Sequence, residues 1–262
     1  MTHRSWEAKY IPPLPQASVA FVVGMVNTPG QQERGLRFLR SYYENTSTAL
    51  VGEHRLFVVA DGWAYHNQFL RTPVGVSLDN MTTSVTTEMK RLGSAKAHNT
   101  GLGIAAEHSY SGYLGILEDG IILTDGWLEP LIAALKEDPK RGWVSSLQRP
   151  NTRSRFMCCC SVMTREFYFT MVAGTRGMFF DEENFRTGPF DDSHAVWRAR
   201  KLGFEPSGVA ASVVEHPQGE TTIKELFSPL AHRQNFEEKR AAFERLTGLA
   251  DFDWDSMPVV GE

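Results

Sequence analysis

SVAFVVGMVNTPG, residues 18–30, decides how the chain is read. Ser18–Val26 is almost wholly apolar and rich in β-branched residues. A strand with one wet face would alternate apolar and polar positions, so this run predicts a strand buried on both faces, as in parallel sheets. Asn27-Thr28-Pro29-Gly30 then ends it, because proline and glycine side by side force a turn. Gln32–Thr46 follows with Leu36, Leu39, Tyr42 and Tyr43 near helical spacing, which predicts an amphipathic helix.

The same alternation continues outward. Glu53–Ala60 predicts a second strand closing on Asp61-Gly62, a turn dipeptide. Residues 64–90 carry no regular period. Ala95–Ala106 predicts a helix with Asn99 and Gly101 near its start. Tyr113–Leu117 predicts a third buried strand that runs into Glu118-Asp119-Gly120, and Gly126–Glu137 a further helix. Trp143–Leu147 and Phe156–Val162 predict two more strands. Asp191–Leu202 predicts a helix with acids in its first turn and bases in its last, the charge order that suits the helix dipole, and Gly203 closes it. Ala210–Glu215 predicts a last strand, with His216-Pro217 beyond it, and Thr222–Leu246 a helical tail. Strands alternating with helices predict an α/β fold with a mostly parallel sheet covered on both faces. Ligands of such sheets bind beyond the carboxyl ends of the strands. Three strands here end in Asn27, Asp61 and Glu118/Asp119, which puts an amide and several carboxylates on one rim.

Composition narrows the function. The chain has 262 residues, 42% apolar and 22% charged, enough for one large domain or two small ones and too apolar for global disorder. Its net charge of -4, with no basic run, argues against a non-specific nucleic-acid binder. Cys158, Cys159 and Cys160 are adjacent; they lack the spacing of a zinc site and cannot staple distant segments. They read as reduced thiols in a buried strand, which suits a cytoplasmic protein. Met1–Gln16 is polar and proline-rich, without the apolar stretch of a signal peptide. No apolar run approaches the ~20 residues of a membrane span. The Gly-x-x-x-x-Gly-Lys-Ser/Thr pattern of P-loop proteins does not occur. A sugar nucleotidyltransferase would want a Gly-rich loop with Arg and Lys directly after the first strand, and Asn27-Thr28-Pro29-Gly30 is not one.

In their order, these motifs resemble glycosyltransferases of the GT-A type, family 2, over roughly residues 18–246. The family's Asn after the first strand is matched by Asn27, and its second-strand Asp-Asp-Gly-Ser by Ala60-Asp61-Gly62-Trp63. Its Gly-x-x-x-Ala-x-Asn-x-Gly stretch is matched by Gly93, Ala97, Asn99 and Gly101. Its Asp-x-Asp element and following Trp-Leu pair are matched by Glu118-Asp119-Gly120 and Trp127-Leu128. Its Glu-Asp-x-Asp-x-x-x-Arg-x-x-x-x-Gly helix is matched by Asp191, Asp192, His194, Arg198 and Gly203, and its closing His by His216. The resemblance implies an inverting transferase with a nucleotide-sugar donor, a UDP-sugar being the first expectation. Asp192 would be the general base with Asp191 beside it. Asn27, Asp61, Gly93, Asn99 and Glu118 would bind the donor. A divalent cation, Mn²⁺ or Mg²⁺, would sit on Glu118, Asp119 and His216. The sequence departs from the family at Gly120, where an acid usually holds the metal, so a nucleotide-sugar-binding module without turnover stands as an alternative beside the nucleotidyltransferase.

The resemblance divides the chain into an N-terminal extension (1–17), a transferase domain (18–220) with a donor half (about 18–125) and an acceptor half (about 126–220), and a helical tail packed on it (221–262). The acceptor stays open between a glycan, a protein and a modified nucleic acid. Thr175–Pro189 is expected to face the acceptor as a lid, and Trp63 either to stack on the donor or to pack.

Overall fold

The computed structural model describes residues 18–46, 54–63, 66–79, 84–88, 90–108, 111–150, 155–186, 189–217 and 228–261. The extension at 1–17, the last residues of the transferase domain at 218–220 and the start of the tail at 221–227 lie outside the described residues.

The opening strand, β1 (Val19–Val26), lies at the heart of the sheet. Val19, Phe21, Val23 and Met25 join the core on one face, and Ala20 and Val22 the core on the other. Both halves of its period-two pattern are therefore buried, which is why it shows no polar alternation. It pairs in parallel with β2 (His54–Asp61) and β4 (Tyr113–Glu118), and β2 pairs in parallel with β3 (Ser84–Glu88). Beyond β4 the sheet continues through β7 (Cys160–Thr164), β6 (Trp143–Arg149) and β8 (Ser207–Glu215) to β5 (Ile122–Leu123), with β9 (Val259–Val260) also on β8. β7 is antiparallel to both its neighbours and β5 is antiparallel to β8; the other pairings are parallel.

Helices cover both faces. α1 (Gln31–Asn45) and α5 (Leu128–Glu137) pack on one, around Phe21, Phe38, Tyr42 and Trp127. α4 (Ser94–His108), α6 (Arg165–Ala173) and α7 (Asp191–Lys201) pack on the other, with the end of α8 (Pro229–Thr247) laid over α7 through Phe243 on Phe190. Short helices α2 (His66–Leu70) and α3 (Pro73–Asp79) fill the region that carries no period in the sequence. α4 approaches β1 closely because Gly101 has no side chain: a Cβ there would lie 2.1 Å from Val22 Cγ1. Among the described residues no helix is long and apolar enough to cross a membrane.

Candidate active site

β1, β2 and β4 are parallel, so their carboxyl ends share one edge. Asn27, Asp61, Glu118 and Asp119 stand along it. Each meets different surroundings. Asn27 is exposed, and its amide donates to Gly62 O at 3.3 Å. Asp61 is fully buried. Its carboxylate accepts the backbone N–H of Leu92 at 2.5 Å and of Gly93 at 3.2 Å, and its own carbonyl accepts from Asn27 N at 2.9 Å. Gly93 takes a positive φ of 88°, open to glycine at little cost.

Asn99 stands one turn into α4 and turns inward. Its Oδ1 accepts the N–H groups of Phe179 and Phe180 at 3.0 and 2.8 Å, and its Nδ2 donates to Phe180 O and Glu182 Oε2 at 2.8 and 3.0 Å. The side chain thus fastens the 179–182 segment. Arg198 holds the same segment from α7, donating to Phe179 O at 3.1 Å and Met171 O at 2.6 Å. Phe179, Phe180 and Phe185 are buried and anchor the expected lid segment in the core. Trp63 is buried too, edge-on to Phe69 at 5.3 Å, so its ring packs.

α7 brings the second acidic group to the rim. Its N-cap, Phe190, is left-handed at φ 74° and gives no side-chain cap, so Asp191 and Asp192 supply negative charge to the first turn. Ser94 Oγ, at the start of α4, donates to Asp191 Oδ2 at 3.3 Å. Asp192 Oδ1 accepts the Ser193 N–H at 2.7 Å and the Ser193 hydroxyl at 3.4 Å. Glu118 lies within electrostatic reach of Asp119, Asp191 and Asp192, and burial, then these three charges, push its carboxyl up to about 7. Burial also raises both aspartates, with Asp192's charge adding to Asp191's shift. Cys158 and Cys159 line the same ground. Burial raises their thiols first, and the carboxylates raise them further, so both are poor thiolates.

His216 follows β8, where its N–H donates to Arg149 O at 3.0 Å. Among the described residues no three His, Cys, Asp or Glu side chains converge as a metal cage, so Glu118, Asp119 and His216 are not assembled as one. Sequence reasoning did not single out Ser94 or Arg186, which meet the site only through contacts remote in sequence. Arg186 donates to Leu92 O at 2.8 Å and to Arg91 O at 3.0 Å.

This strand order, with both faces covered by helices, is the GT-A glycosyltransferase fold. The mannosyltransferase PcManGT from Pyrobaculum calidifontis, solved with GDP-Man and Mn²⁺, superposes with a TM-score of 0.59 at 17% identity, over 93% of this chain and 68% of that one. GalNAc-T7, solved with UDP, GalNAc and Mn²⁺, gives 0.57 at 14% identity, over 87% of this chain and 50% of that one. The chain therefore spans half the length of GalNAc-T7. At these identities the likeness is one of fold. No family model matches the sequence, and neither does any curated protein.

Proposed function

We propose that the protein is an inverting glycosyltransferase of the family 2 kind, moving a sugar from a nucleotide-diphosphate donor, a UDP-sugar first, to an acceptor hydroxyl. The observation that carries this is the meeting of Glu118, Asp119, Asp191 and Asp192 beyond the strand ends of a GT-A sheet. Glu118 carries the repulsion of the other three on top of its burial, and a carboxylate so placed suits a cation and proton transfer.

Asp192 is the base. Its hydrogen bonds from Ser193 fall on Oδ1, and Oδ2 takes the acceptor's proton as the hydroxyl attacks the anomeric carbon opposite the diphosphate. A raised carboxyl pKa suits that task, since proton transfer is best matched near working pH. Ser94 and the Asp192 N–H hold Asp191, so the charge beside the base has a fixed direction. A divalent cation, Mn²⁺ or Mg²⁺, would supply charge neutralisation on the leaving diphosphate. Glu118 and Asp119 would hold it. Hard cations of this kind take one or two carboxylates and complete their shell with phosphate oxygens and water, so a carboxylate pair fits without a protein cage. His216 is left out of the proposed ligand set for that reason. Asn27 and the turn held by Asp61 would receive the nucleotide. Three free thiols, Cys160 in β7 with Cys158 and Cys159 in the turn before it, support a cytoplasmic setting.

Turnover of UDP-, GDP-, TDP- and CDP-sugars with and without Mn²⁺ tests the proposal. Metal-dependent transfer or hydrolysis, lost in Asp192→Asn with nucleotide binding kept, supports it. A second reading, a donor-binding module without turnover, is favoured by Gly120 standing where the family has an acid; binding with no turnover on any acceptor selects it. If no nucleotide binds, both fail.

A further inference from the structure

We infer that Arg186 is a positioning residue: its guanidinium clamps the Arg91–Ser94 turn and thereby sets that turn's register against the base-carrying helix α7. The turn is gripped from two sides. Asp61 takes its N–H groups, at Leu92 and Gly93. Arg186 takes its carbonyls, with Nε on Leu92 O at 2.8 Å and Nη2 on Arg91 O at 3.0 Å. The two grips come from segments far apart in the chain, the end of β2 and the approach to α7. The fit is close as well as polar: a Cβ on Gly93 would lie 2.1 Å from the Arg186 carbonyl oxygen. The next residue, Ser94, donates to Asp191 Oδ2 at 3.3 Å. A shift of the turn against the Arg186 segment therefore moves the hydroxyl that orients the acid beside Asp192. A planar fork that reaches two carbonyls at once is arginine's geometry; a lysine ammonium offers one compact donor head.

The separation of the two grips makes a distinctive forecast. In Arg186→Ala the Asp61 bonds persist in the mean structure but open more often, so the donor side keeps its shape while its register against α7 loosens. The kinetic half of this inference rests on the transferase reading; the structural half does not. Hydrogen exchange of the Leu92 and Gly93 amides is expected to speed about tenfold or more in Arg186→Ala, with the β1 amides unchanged. The turnover number is expected to fall about 10- to 100-fold, with nucleotide affinity within about threefold of wild type, as loss of geometry without loss of binding predicts. Added guanidinium is expected to restore part of the turnover of Arg186→Ala, because the arginine sits exposed; a role in global stability alone would give no such rescue. Arg186→Lys, the milder change, is expected to stay impaired. Unchanged exchange at residues 92–93 overturns the clamp. Faster exchange with intact turnover overturns the coupling to α7. Nucleotide affinity falling in step with turnover would make Arg186 a donor contact and overturn the positioning role. Should the wild type show no turnover, the transferase reading falls, and exchange still decides the clamp.

Discussion

Asp61 and Asp192 stand on the same rim, one ending a strand and the other starting a helix, and the protein treats their charges in opposite ways. Asp61 is sealed in and given two backbone N–H groups at once. Asp192 is left partly open beside Asp191 and within reach of Glu118, and its carboxyl is raised by burial. The first arrangement spends a carboxylate on architecture, tying β2 to the turn before α4. The second keeps carboxylates in electrostatic tension, which a structure tolerates where a cation or a proton is to be handled. The same residue type thus fixes geometry at one site and gathers raised carboxyls at the other.

The largest expected effect separates the two. Asp192→Asn is expected to lower turnover about 10²- to 10⁴-fold, the range for losing a general base, while melting temperature and nucleotide affinity stay near wild type. Steady-state kinetics beside thermal denaturation checks this. Asp61→Ala adds a loss of stability that Asp192→Asn does not show. Two N–H groups lose their acceptor, one of them buried, at a cost of about 2–4 kcal/mol in urea denaturation. Preserved stability in Asp61→Ala would erase the contrast.

How much of this was legible in the sequence follows the same division. β1, β2 and β4 were readable because burial on both faces leaves continuous apolar runs, and the acids at their ends were readable as strand-end residues. β3 was not: Ser84–Glu88 is short and mostly polar, and only its parallel pairing with β2 makes it a strand. α6 was not readable either. Arg165–Ala173 is rich in aromatic and β-branched residues, which favour strands, yet Thr164 caps it as a helix by accepting the Phe167 N–H at 3.1 Å. The order of the acids along the chain suggested a site, but which acids are hydrogen-bonded depends on partners such as Leu92 and Ser94, and periodicity does not reveal those. Asn99 shows the cost: matched by motif to the donor pocket, its amide is engaged with the 179–182 segment.

A smaller effect tests the tension directly. Glu118 has a folded carboxyl raised to about 7 from an ordinary 4.5. Such a group favours the fold below its unfolded pKa, and that contribution is lost as pH rises through the folded pKa. In cation-free protein, Glu118→Gln is therefore expected to be more stable than wild type at pH 8, by about 1–2 kcal/mol after allowance for solvent contact. The advantage should fade as pH falls from 7 towards 4.5. Paired melting curves at pH 8 and pH 5 check it, and an equal gain at both would remove the electrostatic cause.

The acid rim's purpose is tested most directly by calorimetric titration of UDP into wild type and Glu118→Gln, with Mn²⁺ and with EDTA. The account predicts that Mn²⁺ tightens UDP binding at least about tenfold in wild type, roughly 1.4 kcal/mol, and does so far less in Glu118→Gln. UDP affinity that is the same with Mn²⁺ and with EDTA would contradict it.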